Sequence, residues 1–168
     1  MAKTYSKEIM GHFKNPQNVG KMKNYDGLGK VGNPHCGDIM WFYIKIKRDK
    51  QGKEIIDRTS FSTLGCTVAI ANSSLLTTLA KGKTLKEAMK ITKKDLAKRL
   101  GDVPLFKLHC SFLAVDALSE AIYDYLQKNN KKIPEDLKKR HQRIVKEREL
   151  IKEKYKDWIE TEEKMLGK

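Results

Sequence analysis

Between positions 39 and 63 the chain alternates its side-chain character every two residues; beyond position 66 the repeat lengthens to three or four. That change of period restricts the fold more than any other feature. IMWFYIKIK (39–47) is rich in β-formers and puts Met40, Phe42, Ile44 and Ile46 on one face. DKQG (49–52) reads as a hairpin turn, and the return strand, about 54–63, directs Ile55, Thr59 and Phe61 inward. Gly27 to Val31 supplies a third, short strand. Links this short exclude crossover helices, so the sheet is antiparallel.

Helices surround this sheet in the sequence. Residues 4–14 form a short one, with Ile9, Met10 and Phe13 on one side and Asn15-Pro16 as its stop. Thr67 to Ala80 is apolar on most sides and ends at Gly82. Thr84-Leu85-Lys86-Glu87 is a capping box opening a helix to about Ile91, and a further helix, about 93–100, ends at Gly101. Ser111 to Lys128 is apolar nearly all round, as a central buried helix must be. The expected class is α+β, a three-stranded antiparallel sheet packed against helices.

After Asn129-Asn130 the composition changes, which divides the chain into a domain of residues 1–130 and an extension of residues 131–168. The extension carries 13 basic and 9 acidic side chains, so most of the net charge of +14 lies in the first part. Ile133-Pro134 opens a long charged helix in which Leu137, Ile144, Ile151, Trp158 and Met165 recur every seven residues. Tyr155 occupies the other seam position, whose remaining occupants His141, Arg148 and Glu162 are polar. So narrow a stripe suits docking on another surface, the chain's own or a partner's.

A charge of +14 attracts nucleic acid, anionic lipid and acidic proteins alike. The basic residues are scattered rather than grouped with aromatics, so no nucleic-acid partner is expected. No run approaches the roughly 18 apolar residues of a membrane span, and the N-terminus lacks the apolar core of a signal peptide. A cytoplasmic location is the default, and three widely spaced cysteines do not make a secreted disulfide framework.

Each cysteine lies where a loop meets a regular element. Cys36 is in GNPHCGD (32–38), Cys66 in LGCT at the exit of a strand, and Cys110 just before the central helix. Helix N-termini favour negative charge, so Cys66 and Cys110 are expected to have depressed thiol pKa values. Singly, each residue has an ordinary reading: a buried cysteine, a turn aspartate at Asp38, a hydrogen-bonded histidine at His109. Together they point to a metal site as readily as to structural groups.

Three segments weigh toward the metal site by resemblance. GNPHCGDIM (32–40), GCTVAIANSS (65–74) and KLHCSFLAVDAL (107–118), with YSKEIMGHFKNPQNVG (5–20) and KGKTLKEAMKIT (81–92), resemble the IscU/NifU-type iron–sulfur cluster assembly scaffold family over about 1–128. The resemblance implies a scaffold rather than an enzyme, with Cys36, Asp38, Cys66, His109 and Cys110 as candidate ligands of a [2Fe–2S] cluster and its iron. It also implies Cys110 as persulfide acceptor and Tyr5 as a residue of dimer formation. The implied partners are a cysteine desulfurase, an electron donor such as a ferredoxin and recipient apoproteins, with the chain itself a homo-oligomer, dimer or trimer. Thiolates suit iron and zinc equally, so a zinc-bound sulfurtransferase is the alternative. His109 favours the scaffold branch, because zinc-holding sulfurtransferase relatives usually lack a histidine there. Lys107 is expected to steady charge at the site or to exchange contacts with Asp38.

Two departures stand out. Val103-Pro104-Leu105-Phe106-Lys107 replaces the LPPVK segment that a dedicated Hsp70-type chaperone recognises, which argues against chaperone-assisted release. Asn72 interrupts what is often a serine run.

Overall fold

β-Branched and aromatic residues fill the central strand β2 (Ile39–Arg48), which pairs antiparallel with β1 (Gly27–Gly32) and β3 (Glu54–Leu64). The computed structural model describes residues 5–101, 103–104, 107–154 and 156–165, without the side chains of 154, 158, 159, 161, 162 and 165. Near the hairpin the β2–β3 register shifts: Lys45 faces Arg58, Ile46 faces Ile56, and Asp57 is the extra residue. This bulge reverses the alternation beyond it. Ile56 is therefore the fully buried residue and Ile55 only half-buried, the reverse of the sequence expectation, while Thr59 and Phe61 point inward as expected. The outer edge of β3 is covered by Asn18 and Gly20, which bond to Phe61, and by Gly82 and Lys83, which bond to Ile56.

Helices α1 (Lys7–Lys14), α2 (Thr67–Ala80), α3 (Leu85–Ala88), α4 (Lys93–Leu100) and α5 (Leu108–Lys128) contribute to one core with Met40, Phe42 and Ile44. Ser6 caps α1 by accepting the Ile9 N–H, and capping boxes Thr84/Glu87 and Thr92/Asp95 start α3 and α4. The central helix α5 begins at Leu108, three residues before the expected start, so His109 and Cys110 belong to its first turn. Glycine lets β1 lie almost directly on α5. A Cβ at Gly29 would stand 1.9 Å from the Ala117 carbonyl oxygen.

The opposite sheet face is also apolar. Leu28, Ile39, Trp41 and Tyr43 form a second buried cluster there, with Ile151 from the extension. The extension comprises α6 (Glu135–Lys154) and α7 (Lys156–Met165). Leu137 and Ile144 enter the main core and Ile151 the second, so these three stripe residues dock on the chain's own body. Burying each contributes roughly 1.5–3 kcal/mol. Tyr155 and the side chains of Trp158 and Met165 lie outside the described residues.

The polar seam position His141 and its neighbour Arg140 are engaged as well. His141 Nδ1 lies 2.8 Å from buried Glu120 and its ring stacks on Tyr123, while Arg140 donates to Ser119 at 2.6 Å. Burial pushes the Glu120 carboxyl up, and the His141 hydrogen bond opposes that rise. Lys30 of β1 pairs with Glu163 of α7 at 3.2 Å. The extension thus passes from the α5 side round the β1 edge to the far sheet face. Among the described residues no helix is long and apolar enough to cross a membrane.

Candidate metal centre

The loop before β2 is folded around Asn33. Its side-chain oxygen accepts the N–H groups of His35 at 2.8 Å and Cys36 at 3.4 Å, and its carbonyl accepts the Gly37 N–H at 2.8 Å. Gly37 has φ +75°, a left-handed conformation that favours glycine. The loop closes where Asn33 N–H donates to the Asp38 carbonyl at 2.9 Å. This brings Cys36 and the buried Asp38 to the end of the sheet where β3 runs into α2.

Cys66 is the N-cap of α2, with extended backbone and no side-chain capping bond, so its thiol is available to other partners. Its backbone N–H donates to Asp38 Oδ2 at 3.3 Å. From the first turn of α5, Cys110 places its sulfur 3.3 Å from Cys66 Sγ and 3.6 Å from Asp38 Oδ2. Two overlapping donor triads result. Cys36, His109 and Cys110 form one and Asp38, Cys66 and Cys110 the other, each with its ligand atoms within 4.8 Å of one another. Asn72 ties the helices together below them, donating to Val68 O at 2.8 Å and to Ser111 Oγ at 3.3 Å.

The five candidate ligands therefore meet around one shared sulfur. His109 Nε2 is buried with no hydrogen-bond partner among the described residues, as a nitrogen reserved for a metal would be. Lys107 and Tyr5 border the group. The Lys107 ammonium is held above its ordinary value chiefly by Cys66 charge, with smaller effects from Cys110, Tyr5 and Asp38. Tyr5 is half-buried against the main core. Of the altered segment, Val103 packs on the core and Pro104 is buried; Leu105 and Phe106 lie outside the described residues.

The two helix-start cysteines titrate in opposite directions. A hydrogen bond from Cys110, helped by the backbone N–H groups of Ala69 and Val68, brings Cys66 down to about 6 despite its burial. Cys110 is instead pushed up, first by that hydrogen bond to Cys66 and then by burial. The expected depression of both thiols is corrected: adjacent sulfurs, one of them fully buried, resist losing both protons, and the α2 N-terminus selects Cys66. Burial also raises Cys36. Iodoacetamide should therefore label Cys66 fastest in the metal-free protein, its rate rising as pH passes upward through about 6. Peptide mass spectrometry after timed labelling would check this; a Cys36-first order would contradict it.

Sequence reasoning missed Asn33, although the Asn-Pro pair signals the turn it builds. A family model described as NifU-like N terminal domain matches residues 4–132. The chain belongs to that family.

It is 52% identical over 127 residues to the iron–sulfur cluster assembly scaffold protein IscU 1 of Archaeoglobus fulgidus, covering 76% of this chain and 80% of the relative. The IscU scaffold protein of Aquifex aeolicus is 41% identical over 131 residues, with 78% and 82% covered. The fold is shared with two crystal structures. One is a putative scaffold of the SUF system from Fervidobacterium islandicum (TM-score 0.57, 24% identity, 70% of this chain and 96% of that one). The other is a NifU-like N-terminal protein from Brucella abortus (TM-score 0.56, 18% identity, 73% and 94%).

Proposed function

We propose that the chain is a scaffold on which a [2Fe–2S] cluster is built and from which it passes to apoproteins, with residues 1–130 as the scaffold body and 131–168 as an added support. The observation that carries this reading is the pair of donor triads sharing Cys110. Two iron atoms need two adjacent donor sets, and these are adjacent. Soft thiolates hold such a cargo firmly, whereas a carboxylate or imidazole makes one corner exchangeable. The names of the relatives from Archaeoglobus and Aquifex support the same reading.

Sulfur arrives as a persulfide on a cysteine desulfurase. Cys110 is fully buried, and of the two half-exposed thiols Cys66 is the one whose pKa is lowered, so the incoming group reacts with Cys66 first. The Cys66 thiolate attacks the terminal sulfur and the desulfurase cysteine leaves as thiolate. Cys110, 3.3 Å away, then attacks that sulfur, its proton passing to the departing Cys66. Two electrons from a donor such as a ferredoxin convert the Cys110 persulfide to thiolate and sulfide, which joins the iron. Lys107 balances the negative charge of the loaded site, and Tyr5 takes the part in dimer formation that the family resemblance implies.

Zinc suits the same donors, which keeps a zinc-bound persulfide carrier as the second reading. Labelled sulfur reaching acceptors, with no cluster formed under any condition, would favour it. The scaffold reading has its own test in Asp38→Ala, which removes the hard ligand. The variant should lose its cluster about tenfold more slowly than wild type, a change of the size that metal-site partners exert. Decay of the visible absorption under anaerobic conditions measures this; equal or faster loss contradicts it.

A further inference from the structure

Beside the His109 side of the centre lies a cleft of about 420 Å³. One wall is the Asn33–His35 loop, a second is α5 with His109 and Asp116, and the third is α6 with Arg143 and Glu147. That third wall comes from outside the family match, which ends at residue 132.

Arg143 holds the wall in place. Its Nη2 donates to Asp116 Oδ1 at 2.9 Å and its Nη1 to both Glu147 oxygens at 3.2 Å. Asp116 follows His109 by seven residues, two turns along the same face of α5. The Asp116 side chain is 11% exposed, and the guanidinium is its ion-pair partner at 2.9 Å. Next to Arg143, Ile144 is buried in the core, which leaves α6 little freedom to tilt. His109 Nε2 has no hydrogen bond among the described residues to orient its ring. The walls of the cleft supply that constraint.

We propose that Arg143 is a positioning residue of the cluster site. By fixing α6 to Asp116 it narrows the approach of water and chelators to His109 and keeps the imidazole turned toward Cys36 and Cys110. Traffic of iron, sulfur and finished cluster is thereby directed toward Cys66, which is half-exposed. The inference rests on the scaffold reading for the cargo, but the narrowed approach to His109 is a property of the metal-free chain too.

The experiment uses the full chain in two forms. In the metal-free form, diethylpyrocarbonate modification of His109 is followed by mass spectrometry. In the zinc-loaded form, release to a chromophoric chelator is timed. Arg143→Ala should modify His109 faster, leave Cys66 alkylation unchanged and release zinc about tenfold faster, the lower end of what removing a ligand's supporting partner costs. Arg143→Lys, which keeps a cation for Asp116, should return both rates close to wild type. Asp116→Asn, a near-isosteric change that removes the carboxylate charge, should behave like Arg143→Ala and serves if that variant fails to fold. Wild-type rates of both reactions in folded Arg143→Ala or Asp116→Asn would overturn the proposal. A wild-type chain holding zinc no better than Cys66→Ala would overturn the scaffold reading, and this one with it, whatever His109 shows.

Discussion

Gly29→Ala is expected to lower the thermal midpoint by roughly 6–12 °C, from an overpacking cost of about 3 kcal/mol at 2–4 °C per kcal/mol for a chain of this size. The added Cβ would stand 1.9 Å from the Ala117 carbonyl oxygen and 2.7 Å from the Ala121 nitrogen, both backbone atoms of α5. No rotamer change relieves such a clash; β1 and α5 must separate. The same movement would loosen Ala114, Ala117, Leu118 and Ala121 beneath the sheet. Gly11→Ala in α1 is the control, because nothing lies within 4 Å of its added carbon. It should stabilise the chain by about 0.5–1 kcal/mol through helix propensity. Circular dichroism melts of both variants decide the point, and equal midpoints would show that α5 does not press on β1 as described.

Cys66→Ala is expected to abolish cluster binding while leaving the fold intact. The Cys66 side chain makes no capping bond and is half-exposed, so its removal should cost about 1 kcal/mol, the size of an ordinary point substitution. At the centre the consequence is far larger. One triad is reduced to Asp38 and Cys110, and Cys110 loses the sulfur 3.3 Å away that shares its proton. Zinc affinity should fall by more than the roughly 10–100-fold that follows loss of a mere supporting partner. Equilibrium competition with a chelator measures this beside a melt. Undiminished affinity in the folded variant would remove Cys66 from the ligand set.

Much of this architecture is written in local patterns. Alternation in 39–47 and the DKQG turn predict β2, the hairpin and β3, because period and turn chemistry are short-range properties. The capping boxes at Thr84 and Thr92 work the same way. Ile55 was misplaced because a bulge at Asp57 depends on pairing between strands, which no single-strand pattern records. The start of α5 at Leu108 was missed for a related reason: its N-cap Lys107 has no side-chain capping bond, so no capping residue marks the boundary.

The candidate centre was legible as residue types through the resemblance, but its electrostatics were not. A helix N-terminus was expected to activate both Cys66 and Cys110. The structure separates them, because the proximity of two sulfurs is a tertiary fact and burial of Cys110 is complete. The seven-residue stripe of the extension correctly announced docking at Leu137, Ile144 and Ile151. Nothing in it announced that Arg143 would reach Asp116 beside the His109 cleft. An exposed-looking arginine acquires its meaning only from the carboxylate opposite.

The measurement that bears most directly on the scaffold reading is anaerobic reconstitution of the full chain with iron and either sulfide or cysteine plus a cysteine desulfurase. The expected product shows the visible absorption of a [2Fe–2S] cluster, contains iron and sulfide in equal amounts, and fails to form in Cys66→Ala. No chromophore under either sulfur source, with wild type and Cys66→Ala indistinguishable, would contradict the account.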